Sequence, residues 1–121
     1  MAPPPTDPRS PCLVGTARRT WRPDEPTPEP LEQWVEVARG ALADAVVGAT
    51  SSTAPRGVAA VDHLGLVHCQ SWAYDEPGKR LTERLGVGSG LPVHESILAG
   101  TSPQRLMDAA ATRMLRGEVE V

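Results

Sequence analysis

Residues Ser96 to Val121 read "SILAGTSPQRLMDAAATRMLRGEVEV", and this stretch decides how the chain is read. The Gly-Thr-Ser-Pro turn is a helix start: Ser102 offers an N-cap oxygen, and Pro103 takes the first helical position, where a missing N–H costs nothing. Leu106, Ala110 and Met114, with Met107, Ala111 and Leu115 beside them, give the helix a wide apolar surface. Gly117 is placed to end it. "EVEV" (118 to 121) then alternates like the first residues of a strand. Strand, turn, helix and incipient strand together form one βαβ unit, and a helix so apolar expects cover on more than one side.

Working outward, the same punctuation recurs upstream. "LPVHESILAG" (91 to 100) reads as the strand feeding that helix, with Pro92 near its beginning. "DEPGKRLTERLG" has acids before Pro77, bases after it and Gly86 at its end, the signals of a short helix. "VDHLGLVH" (61 to 68) reads as another strand. Pro30 opens a helix whose apolar stripe is Leu31, Trp34, Val35, Ala38, Leu42, Ala45 and Val46, and Gly48 is placed to close it. "CLVGTA" (12 to 17) is short and apolar enough for a buried strand, and residues 1 to 11 read as a disordered, proline-rich leader. The order β-α-β-α-β-α-β predicts an α/β fold. Its parallel sheet would have three strands plus the start of a fourth and helices on both faces, in one domain over residues 12 to 121.

Composition narrows the function classes. The chain has 121 residues, no Phe, one Tyr and three Trp, so Ala, Val and Leu must build the core. A net charge of −3 argues against a general nucleic-acid binder. No apolar run approaches the ~18 residues of a membrane span, and the N-terminus lacks the apolar centre of a signal peptide. Two cysteines, Cys12 and Cys69, are too few for a disulfide scaffold. A reduced, cytoplasmic protein that meets neither membrane nor nucleic acid is the expectation.

The candidate chemistry is sparse. His63 and His68 are an odd number of residues apart on one strand, so they face opposite sides and cannot chelate one metal ion. Cys69 reads as a small buried hydrophobe, and a Cys69–His94 pair would need the fold to bring two strand ends together. "GVGSG" (86 to 90) leads into a strand, whereas a phosphate loop must lead into a helix, so it reads as a connection. Arg18, Arg19 and Arg22 cluster after the first strand, where α/β sheets place ligands, and Arg19 is a candidate anion contact. The turn Gly100, Thr101, Ser102 is the other candidate. It sets backbone N–H groups and a helix's positive end beyond a strand, suited to an anion or an oxyanion.

These residues also carry a resemblance. "PCLVGTARRT", "LEQWVEVARGALADA", "VDHLGLVHCQSWAYDEPGKRLTERLG" and "GTSPQRLMDAAATRMLRGEVEV" resemble, in order and spacing, the N-terminal part of actinobacterial thiolase-like proteins of the acetyl-CoA acetyltransferase group. The likeness runs from about residue 10 to the end and covers well under half of a complete thiolase. It implies the first part of an αβαβα thiolase fold, an acyl-CoA thioester as substrate, no metal or redox cofactor, and a homodimer or partner subunit in the complete protein. The family's nucleophilic cysteine sits at the start of the helix matched here by 102 to 115. That place falls on Gly100 or Thr101, so the resemblance carries no catalytic residue onto this chain. The expectation is an N-terminal portion of an acyl-CoA acyltransferase without its cysteine, or a non-catalytic module that binds acyl-CoA or pairs with another subunit. In the family the closing strand continues, so the chain also reads as a fragment.

Overall fold

The computed structural model describes residues 2–4, 7–47, 60–88 and 90–120. Helix α1 (Pro30–Val47) starts on its proline, with Glu32 at its positive end. Strand β1 (Leu64–Val67) and strand β2 (Val93–Ser96) pair in parallel, Leu64 opposite Val93 and Val67 opposite Ser96. Helix α2 (Pro77–Leu85) connects them, so the three elements form a β-α-β unit. Gly86, at φ 73°, closes α2 in the left-handed conformation that a side chain would strain, its N–H shared between the Thr82 and Glu83 carbonyls. Helix α3 (Ser102–Leu115) follows β2. Gly117 stops it at φ 72°, with the Glu118 N–H bonded back to the Arg113 carbonyl.

Alternation along the strands sorts side chains to two faces. Leu66 joins Leu31, Val35, Leu81 and Leu85 in the buried cluster, with Leu64, Trp34, Ala38 and Tyr74 packed against it. On that face Glu95 crosses to α2, where its Oε1 accepts the Gly78 N–H at 2.6 Å. The opposite face belongs to α3: a Cβ on Gly65 would stand 3.5 Å from that of Leu106, and Arg113 reaches His94, the register partner of Gly65. Helices therefore cover both faces, as the β-α alternation predicts. The helix pair α1–α2 is tied by a forked Arg84–Glu32 ion pair, one arm at 2.8 Å, and by Arg39 donating to the Arg84 carbonyl at 3.0 Å.

The strand count is smaller than expected. Among the described residues the sheet has two strands, not three plus the start of a fourth. Residues 12–17 form no ladder and lie along α1 instead. Gly15 comes so close that an added Cβ would stand 2.7 Å from the Ala45 nitrogen, and the Thr16 N–H donates to Asp44 Oδ2 at 2.9 Å. A helix carboxylate replaces the strand neighbour, and Leu13 is left 75% exposed. Residues 118–120 also lack a ladder, although Val119 is buried and the Glu120 N–H donates to Asp62 Oδ2 at 2.8 Å, beside the approach to β1. Here too a side chain takes the bond that a strand backbone would have taken. Gly48, Ser89 and Val121, and the leader residues Met1, Pro5 and Thr6, lie outside the described residues.

Candidate functional site

The turn before α3 is built differently from a capped helix. Ser102 is already helical, and Thr101 holds the N-cap position with no side-chain bond to the helix. The Ser102 hydroxyl instead donates backward to the Ile97 carbonyl at 2.7 Å, and its N–H donates to the Ala99 carbonyl at 3.0 Å. Ser102 is 3% exposed, while Gly100 and Thr101 are open to solvent. The expected N-cap role of Ser102 is thus corrected: a buried hydroxyl with its proton committed to a carbonyl is a tether for the turn. Of the donors at a helix start, the Ser102 amide is spent and Pro103 has none. Thr101, exposed at the N-cap, is the position from which a side chain meets the helix's positive end.

Arg19 is not brought to this turn. Its guanidinium lies 2.8 Å from Glu25 and 3.5 Å from Glu36, donates to the Thr20 carbonyl and stacks over Trp21 at 5.2 Å. All these partners come from residues 20 to 36, and two carboxylates already answer its charge. The four sequence candidates therefore separate into an exposed turn with a buried serine and an arginine paired within its own loop.

His63 and His68 fall on opposite faces, as their spacing requires. His68 Nε2 donates to Glu95 Oε2 at 3.3 Å on the α2 side. His63 lies edge-on to His94 at 5.1 Å between centroids on the α3 side, where Arg113 Nη2 donates to His94 Nε2 at 2.8 Å. Guanidinium has only donors, so His94 Nε2 must be the unprotonated nitrogen. Burial, with His94 and Arg113 adding to it, lowers the pKa of His63, against a smaller opposing pull from Asp62. Among the described residues the His63 Nδ1 atom is buried without a hydrogen-bond partner. Sequence reading missed this cluster. Its one local signal was that Arg113 follows Leu106 by seven residues, two turns along one helix face.

The thiols are also placed differently from expectation. Cys12 is exposed, and Cys69 is half-buried with its thiol 3.3 Å from the Trp72 carbonyl. Cys69 lies with Trp34 and Pro77 on the α1–α2 side, so it does not meet His94 on the α3 side. Among the described residues no group of three or more His, Cys, Asp or Glu side chains is arranged to hold a metal ion. No known family model, curated protein or solved structure matches the chain.

Proposed function

We propose that this chain is a thiolase-like acyl-CoA-handling unit, corresponding to the N-terminal part of an acyl-CoA acyltransferase of the acetyl-CoA acetyltransferase group. The observation that carries the reading is the unit β2–turn–α3. A parallel strand delivers a Gly-Thr-Ser-Pro turn to the start of a helix packed across the sheet, the place from which thiolase-like proteins work on a thioester. In the proposed complex the thioester carbonyl lies against the exposed Gly100–Thr101 backbone at the helix's positive end. Ser102 shapes the turn from beneath.

The geometry favours the non-covalent form of this function. Ser102, the one hydroxyl buried at the helix start, has its proton on the Ile97 carbonyl and no base beside it among the described residues. A nucleophile needs an adjacent base or a depressed pKa. Binding and orientation of the acyl-CoA are then this unit's part, with bond-making groups supplied from elsewhere in the assembly.

Thr101→Cys tests the proposal by placing a thiol where the helix field depresses its pKa. Its iodoacetamide rate is expected to exceed that of Cys12 near neutral pH, and acetyl-CoA is expected to slow it while leaving Cys12 unchanged. Absence of protection would reduce the turn to a helix start and remove the functional reading. Intact-mass measurement of the unaltered chain after incubation with acetyl-CoA is expected to show no acetyl adduct; an adduct would overturn the non-covalent form.

A further inference from the structure

Helix α3 is fastened at its two ends by different chemistry. At the start, the Ser102 hydroxyl donates to the Ile97 carbonyl at 2.7 Å, a bond between groups that do not titrate near neutral pH. In the last turn, Arg113 Nη2 donates to His94 Nε2 of β2 at 2.8 Å. That acceptor exists only while the ring nitrogen carries no proton. Beyond the helix the chain folds back onto the same side. The Glu118 N–H bonds to the Arg113 carbonyl, Val119 is buried, and the Glu120 N–H reaches Asp62 Oδ2. The far end of α3 and residues 117–120 therefore close over the sheet together, around the one contact that acid can break.

A second imidazole resists a proton in the same place. His63 lies edge-on to His94, 5.1 Å between centroids, and among the described residues its Nδ1 is buried with no hydrogen-bond partner. An imidazolium carries an N–H on both nitrogens, so protonating His63 in place leaves a buried donor unanswered. The charged groups that face the pair are Arg113 from α3, Asp62 from the approach to β1, and Glu118, which lies 4.0 Å from Arg113. Two carboxylates against a guanidinium and two imidazoliums would leave net positive charge between helix and sheet. The opposite face of the sheet answers acid the other way. His68 Nε2 meets Glu95 Oε2 there at 3.3 Å, a contact that a proton strengthens.

We infer that His63, His94 and Arg113 form an acid-released latch: proton uptake by the imidazoles expels the guanidinium and lifts the last turn of α3, with residues 117–120, off the sheet, while α1 and α2 stay packed on the other face. The released state takes up protons that the closed state excludes, so acid favours release. The window is that of an ordinary imidazole, near pH ~6.5, and lies above the usual carboxylate range. The latch stands apart from the acyl-CoA reading, because Ser102 holds the turn at the other end of the helix.

Hydrogen exchange of the unaltered chain, read by mass spectrometry and corrected for its intrinsic pH dependence, tests the latch. Between pH 7.5 and 5.5, protection over residues 106–120 is expected to fall about tenfold for each imidazole proton taken up, with protection in α2 unchanged. The double variant His63→Phe with His94→Gln, whose amide oxygen can accept from Arg113 at every pH, is expected to hold protection constant over that range. Arg113→Leu keeps an apolar stem on α3 without the donor, and is expected to lower protection of the same residues already at pH 7.5. An α3 end indifferent to pH would overturn the latch. Equal loss in α2 would do the same, since it marks general loosening. Full acid loss in the double variant, or unaltered protection in Arg113→Leu at both pH values, would also overturn it.

Discussion

Ser102 has the residue type of an N-cap and the geometry of a tether. Its hydroxyl donates to Ile97 rather than accepting from the first helical turn, and it is buried while doing so. The two roles answer differently to Ser102→Asp. At a true N-cap aspartate is among the best residues and would be neutral or stabilising. Here it would set a buried carboxylate against the Ile97 carbonyl oxygen. The expected cost exceeds about 2 kcal/mol, read as a lowered urea midpoint with unchanged m-value. An unchanged midpoint would restore the capping role. Gly15 makes a comparable point: its lack of a side chain permits the close approach of residues 12–17 to α1.

At the scale of the element, α3 is held by packing of Leu106 over Gly65 and by the polar group His63, His94 and Arg113. The groups facing His63 are Asp62 on its own strand segment, His94 on β2 and Arg113 on α3, with Glu118 4.0 Å from Arg113. The folded His63 pKa lies below the ordinary 6.5, with burial as the first cause. The unfolded chain therefore binds the proton more readily. This contribution to stability is fully present above pH 6.5 and is lost as pH falls from there through the lower folded pKa. Glu32, whose pKa its bond to Arg84 lowers from 4.5, acts in the same direction but in a separate, more acid window. Urea midpoints are thus expected to fall between pH 7.5 and 5.5, and His63→Phe should flatten that dependence. An equal fall in His63→Phe would show that the cluster does not loosen α3.

For the whole molecule, the balance of buried and exposed apolar surface sets the expectation. Seven apolar residues are buried among those described, and no large side chain is less than 2% exposed. Ile97, Leu98, Met107 and Leu115 meanwhile stand at 47% exposure or more. Patches of that kind bind apolar dyes, and so small a core gives a chain of this length little margin. The isolated chain is expected to enhance anilinonaphthalene sulfonate emission under native conditions and to unfold with a stability below about 5 kcal/mol. Cooperative unfolding well above that value without dye binding would contradict the expectation. No helix among the described residues is long and apolar enough to cross a membrane.

What the sequence by itself determined were the helices and the centres of two strands. Pro30, Pro77 with Gly86, and Pro103 with Gly117 mark starts and stops within a residue or two, because helix hydrogen bonds close within four residues and their punctuation is local. The separation of His63 from His68 was legible for a similar reason, since strand alternation is a local property. Tertiary structure alone decided whether 12–17 and 118–120 would become strands. A strand's bonds are made to another segment, and here Asp44 and Asp62 supplied side-chain acceptors instead. It alone separated Arg19 from the turn at 100–103, joined His63 to His94 and Arg113, and put Cys69 among the aromatic rings beyond β1. Each of those outcomes depends on the register of Gly65 against His94 and on which face each helix covers. Those relations exist only after segments distant in the chain have packed.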